Sequence, residues 1–268
     1  MKRGLLLVAM TATLAVSAAA PSASSDSTGS LALNAELSWH GSDGVCPPGT
    51  PSGIECHPHP GGRTLVPGLG EVIQDYLYPV VFEPPDPACR AQGGFNVADY
   101  PARLIVKGKG EIYLSVKGIS ECLFGPPSDT VVNNTQSFTV SAGSGAYTGA
   151  SGTGTLIHVA GRDIYGHAYG TDTWGGTLQV PGVEFDLTAP SIAGATSKVV
   201  RAPRRAKRVR VGFKVTALDD VDGVVPVSCR PKSRSRFKIG RTAVHCSATD
   251  TSGNRQTAKF TVRVKRRR

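Results

Sequence analysis

The sequence predicts an all-β protein in two domains, and three observations carry that prediction. Thirty-two glycines and 19 prolines in 268 residues interrupt the chain too often for a long amphipathic helix. The stretches between them are short and rich in β-branched residues, with apolar and polar side chains alternating in steps of two, the period of a half-buried strand. The length fits two domains, and the charge is divided between the halves.

The chain opens with Lys2 and Arg3, an apolar run from Leu5 to Val16, and then small residues. That order is the pattern of a secretory signal peptide, assigned to residues 1–23 with cleavage near Ala18. No later apolar run is long enough to span a bilayer as a helix, so no membrane span is expected. The expected location is extracellular, where six cysteines can be held as disulfides.

Residues 24–185 form the first domain, read as a β-barrel or sandwich. Its candidate strands are Ser30 to Trp39, Val72 to Phe82, Leu104 to Val116, Ser137 to Ala142, Gly152 to Val159 and Gly166 to Val180, the last of which reads as one strand or two. Four cysteines lie here, and four permit three pairings. Cys46 with Cys56 would close the Pro/Gly-rich loop CPPGTPSGIEC, which leaves Cys89 with Cys122. Cys56, His57 and His59 offer a zinc alternative, without the two compact ligand pairs that zinc spacing requires. Asn133 to Thr135 matches a glycosylation sequon and suggests an exposed segment.

No catalytic residue is assigned. GSGAYTG lacks both the G-x-G-x-x-G spacing and a following helix, which argues against a phosphate cradle. Ser144 and Ser151 do not sit in a G-x-S-x-G elbow. His40, His158 and His167 have no spacing that ties them to a carboxylate, and Asp172 and Glu111 read as solvated strand residues. The glycine-rich run from Ser137 to Thr155, SFTVSAGSGAYTGASGTGT, with Thr173 to Leu178 after it, resembles the strand-turn-strand of allene oxide cyclase-like and dirigent-like barrels. That likeness implies a barrel and raises an alternative function, a secreted barrel enzyme or small-ligand binder; it transfers no catalytic residue.

Residues 186–268 form the second domain. Val209, Val211, Phe213 and Val215 alternate with polar positions or glycine, as do Ala258, Phe260, Val262 and Val264. Val225, Val227 and Cys229 share one face of a third strand, and Val244, Cys246 and Ala248 one face of a fourth, so Cys229 and Cys246 are expected to pair in the core. The ordered motifs TALDDVDGVVPVSC, FKIGRTAVHCSATDTSGN and FTVRV resemble the HYR (hyalin repeat) domain from Asp186 to about Lys265. The resemblance implies an immunoglobulin-like β-sandwich of extracellular proteins, used for adhesion or interaction without enzymatic activity. Where that family has a turn of small residues, this chain has Lys232, Ser233, Arg234, Ser235 and Arg236.

The overall charge of +10 conceals a division. Residues 186–268 hold 21 Lys and Arg against 5 Asp, a net of +16, whereas the first domain without its leader carries −8. In an immunoglobulin-like topology the two kinds of charge should sort to opposite ends. Asp219, Asp220 and Asp222, with Asp250, Asn254 and Asp186, are expected at the interdomain end; Asp186, Asp220, Asp222, Asp250 and Asn254 are the candidate ligands of a structural calcium ion. The opposite end should gather Arg201, Arg204, Arg205, Lys207 and Arg208 with Lys232, Arg234 and Arg236, and with Arg266, Arg267 and Arg268. Such a cap would take an extracellular protein or an anionic polymer as partner. Nucleic acid would bind only as a nonspecific polyanion, since no aromatics are interleaved for stacking.

Overall fold

Continuous alternation is clearest in β1 (Ser30–His40), where Leu31, Leu33, Ala35, Leu37 and Trp39 are all buried and every intervening side chain is exposed. The computed structural model describes residues 29–41, 46, 48, 50, 54–58, 61–81, 94–122, 132–162 and 168–267. The predicted signal peptide lies outside these residues. After β1 come β2 (Ile54–Pro58), β3 (Arg63–Val66), β4 (Gly70–Val81), β5 (Gly94–Val97), β6 (Tyr100–Val106), β7 (Gly110–Val116), β8 (Ile119–Cys122), β9 (Val132–Gly143), β10 (Ser151–Arg162) and β11 (Ala168–Gln179).

These eleven strands form one sheet in the order β1-β11-β10-β9-β7-β6-β4-β5-β8, with β2 and β3 also on β4. A short loop nearly closes the sheet into a barrel. The Gly61 amide donates to the Gln74 carbonyl on β4 at 3.0 Å, and the Gly62 amide to the Ser38 carbonyl on β1 at 2.6 Å, so one loop joins the two sides of the seam. The stretch Leu104 to Val116, expected as one strand, is a hairpin, because Lys107-Gly108-Lys109 turns the chain and Gly108 takes φ +72°. Conversely, the last segment is a single strand, β11, paired along its length with β1 and β10.

Small residues let the barrel fill. Gly154 lies so close to the ring of Phe138 that a Cβ there would stand 2.5 Å from its Cζ, and Phe138 in turn packs edge-on against Trp174 at 5.4 Å. The lumen around them is occupied by fully buried side chains, among them Leu104, Ile112, Leu114, Leu156 and Leu178.

The second domain contains β12 (Ser191–Ala193), β13 (Lys198–Ala202), β14 (Arg208–Arg210), β15 (Thr216–Asp219), β16 (Gly223–Val225), β17 (Val227–Arg230), β18 (Arg236–Lys238), β19 (Gly240–Thr249) and β20 (Arg255–Arg266). They make three small sheets, β12-β15-β16, β13-β20-β19-β17 and β14-β18, consistent with a β-sandwich. The strand expected from Val225 to Cys229 is divided at Pro226: β16 pairs with β15 and β17 with β19, so the chain crosses between sheets where proline has no amide to donate. Val209 to Val215 keeps the expected alternation of burial, yet only Arg208–Arg210 is laddered. Phe213 packs edge-on against Phe260 at 5.0 Å within the core.

Candidate functional site

Three constellations carry chemistry: a polar centre inside the barrel, a basic face on the second domain, and an acidic cluster at the junction. The first corrects the expectation for His158 and Asp172. Both are buried, directly opposite one another on β10 and β11, with His158 Nδ1 2.7 Å from Asp172 Oδ1. Asp172 Oδ2 accepts from Gln74 Nε2 at 2.6 Å and from the Tyr76 hydroxyl at 2.5 Å. The orientation of Gln74 is fixed by Trp174, whose indole can only donate and does so to Gln74 Oε1 at 2.8 Å. Trp39 stacks on His158 with ring centroids 5.3 Å apart. A second link runs from the Tyr100 hydroxyl to Gln136 Oε1 at 3.0 Å and from Gln136 Nε2 to the Lys117 carbonyl at 3.2 Å. With three hydrogen-bond partners on its carboxyl group, Asp172 orders strands β4, β10 and β11 around it. Glu111, by contrast, is half-buried and pairs with Arg103 at 3.3 Å, while the same guanidinium bonds Asp75 at 2.5 Å.

Sequence could have found the His158–Asp172 pair by one route, the hairpin register of β10 and β11. Each reads only as a glycine-rich strand in isolation. Their pairing becomes legible once the two are laid antiparallel and residue 158 falls opposite 172.

The basic face is built by two ladders. Parallel pairing of β13 with β20 sets Arg201 opposite Lys265 and Ala202 opposite Arg266. Antiparallel pairing of β14 with β18 sets Arg208 opposite Lys238 and Arg210 opposite Arg236, and the Arg234 amide donates to the Val211 carbonyl at 2.9 Å. The chain segment with Arg204, Arg205 and Lys207 connects β13 to β14 and is exposed, as are Lys232, Arg234, Arg236, Arg266 and Arg267. The connection joins the ends of the two ladders, so Arg204, Arg205 and Lys207 lie between Arg201 and Arg208; Arg268 lies outside the described residues.

The acidic residues gather at the other end, where β15 leads into β16 and β19 turns into β20. Asp186, Asp219 and Asp250 bring one oxygen each to within 4.8 Å of one another. Two members of the expected ligand set are elsewhere employed: Asp220 is exposed, and Asp222 accepts from the Thr251 amide at 2.6 Å and the Thr251 hydroxyl at 2.8 Å. Asn254 turns its amide nitrogen inward, donating to Asp250 Oδ2 and to the Asp186 carbonyl, both at 2.9 Å. Asp219 takes the place those residues were expected to fill. The Asp186 carboxyl is held above the usual range by burial first, then by the charges of Asp250, Asp219 and Asp220.

The same loop meets the barrel. A Cβ on Gly70, at the start of β4, would stand 2.5 Å from the Thr251 carbonyl oxygen, and one on Gly253 would stand 2.7 Å from that of Val66. The acidic cluster therefore sits where the two domains touch.

Cys229 is bonded to Cys246, its direct partner across β17 and β19, and Cys46 is bonded to Cys56. The latter bond removes Cys56 as a zinc thiolate. Cys89 lies outside the described residues, so its pairing with Cys122 does too. Ser144, considered as a nucleophile, accepts from the Glu111 amide through its hydroxyl at 3.2 Å and so holds a turn. Among the described residues no helix is long and apolar enough to cross a membrane.

No curated protein and no solved structure matches the chain. The family model of the HYR domain matches residues 185–264, the segment that carries the acidic cluster and most of the basic face.

Proposed function

We infer that this is a secreted, non-enzymatic adhesion or interaction protein whose HYR domain engages an anionic partner outside the cell through its basic end. The observation that carries this reading is the pairing of like charges across two ladders, Arg201 opposite Lys265 on β13–β20, and Arg208 opposite Lys238 and Arg210 opposite Arg236 on β14–β18. Like charges on one exposed face attract a polyanion over about 10 Å at physiological salt. The five-residue stretch between β13 and β14 adds three more cations without a strand to constrain them. The test is retention of the full chain on immobilised dextran sulfate across a salt gradient. Replacing Arg204, Arg205, Lys207 and Arg208 by Ser is expected to lower the eluting salt concentration and flatten the salt dependence. Unchanged retention would overturn the reading.

The alternative, small-ligand binding by the barrel, draws on a groove of about 640 Å³ bordered by Tyr76, Pro79, Tyr100 and Ala102. Native mass spectrometry of the secreted protein would reveal a bound small molecule if that reading holds.

A further inference from the structure

We propose that Asp186, Asp219 and Asp250 bind one calcium ion, which ties the interdomain segment to the two loops of the HYR domain that face the barrel. The cluster is more than a group of acids. Asp219 is only 4 % exposed, and while its Oδ1 accepts the amides of Val221 and Asp222 at 3.0 and 2.9 Å, its buried Oδ2 has no hydrogen-bond partner among the described residues. Asp186 repeats this arrangement, with Oδ1 accepting the Thr188 amide at 2.9 Å and Oδ2 buried without a partner among the described residues. Asp250, 7 % exposed, completes the trio.

A buried carboxylate oxygen without a donor is costly, and three negative groups this close raise that cost further. Among the described residues no Lys or Arg pairs with any of the three, although the domain carries 21 of them. A divalent cation would satisfy both orphan oxygens at once. The donors are all oxygen, without His or Cys, which favours a hard ion over zinc. Three loops of irregular geometry suit calcium, whose coordination is flexible, better than magnesium, which demands a near-ideal octahedron.

The three ligands come from the segment joining the domains, the end of β15 and the β19–β20 turn. That turn also holds Thr251 and Gly253, which touch the barrel at Gly70 and Val66. Calcium would accordingly stabilise the junction as well as the domain.

The experiment is isothermal titration of the full chain with calcium, paired with thermal unfolding in millimolar calcium, magnesium or EDTA. One site per chain is expected, with a rise in Tm of about 10 °C once calcium exceeds its Kd a hundredfold. Asp219→Asn, and independently Asp186→Asn on the more exposed segment, should abolish the titration heat and the calcium-dependent rise while the proteins remain folded in EDTA. Equal Tm in calcium and EDTA with no heat of binding would overturn the proposal, and so would an equal rise with magnesium. A calcium response that persists in both variants would overturn the assignment of these ligands.

Discussion

The Asp172 carboxylate and the His158 imidazole face each other across the β10–β11 ladder, 2.7 Å apart and shut away from solvent. An apolar barrel core accepts such a pair only when the rest of its hydrogen bonds are made. Here Gln74 and Tyr76 from β4, on the far side of the lumen, make them. Replacing Asp172 by Ala would leave three buried donors facing a cavity. The expected loss is about 3 to 5 kcal/mol, measured as a lower urea midpoint for the first domain. Asp172→Asn keeps the volume and one acceptor and should lose less; a loss as large as that of Asp172→Ala would show that a single acceptor does not sustain this centre, whereas a negligible loss would show that packing alone depends on this residue.

Trp174 lies beside the same centre and reaches Phe138, whose ring occupies the space above Gly154. Gly154→Val would drive its side chain into that ring and toward the Gly175 carbonyl, 2.3 Å from the Cβ position. A cost of about 1 to 3 kcal/mol is expected, with a change in tryptophan fluorescence reporting the displaced ring. Unaltered fluorescence and stability would mean that the barrel has slack at this layer.

How much of this was legible beforehand depended on distance along the chain. The alternation of Leu31, Leu33, Leu37 and Trp39 announced β1, because strand burial is a local pattern. In the same way Val244, Cys246 and Ala248 announced the inner face of β19. Pairing is not local. His158 and Asp172 sit in strands whose glycines mask any periodic signal, and Gln74 is bonded to Asp172 from 98 residues away. The acidic cluster was visible as a group, since the order of strands carries its loops to one end. Which aspartates would turn inward was not: Asp219 and Asp220 are neighbours with opposite directions, decided by the phase of β15, where Ala217 and Asp219 point in and Leu218 points out. Pro226, read simply as part of a strand, marked a change of sheet.

Cys229 and Cys246 stand directly opposite one another, so their bond closes the loop between β17 and β19 over 17 residues. Removing both by Cys229→Ala and Cys246→Ala should cost about 3 kcal/mol in the chain-entropy view of such a loop. Denaturant unfolding under non-reducing conditions measures it, and the change should fall on the HYR domain's transition. A loss shared equally by the barrel would indicate that the two domains unfold as one unit.

Gly253 and Gly223 provide a matched pair for testing the junction. Both have positive φ, +86° and +69°, so an alanine at either strains the backbone by a similar amount. Their surroundings differ. An added Cβ on Gly223 meets nothing within 4 Å, whereas on Gly253 it lies 2.7 Å from the Val66 carbonyl and 3.3 Å from Gly70 Cα, both in the barrel. Any effect common to Gly223→Ala and Gly253→Ala is therefore backbone strain, and any effect confined to Gly253→Ala is pressure on the domain contact. Such pressure should push the HYR domain's loop off the barrel and expose the segment between Pro181 and Pro190. Faster proteolysis of that segment, with a larger radius of gyration in solution scattering, is expected for Gly253→Ala alone. Should the two variants behave alike in both measurements, the close approach of Gly253 to Val66 would not be what holds the domains together.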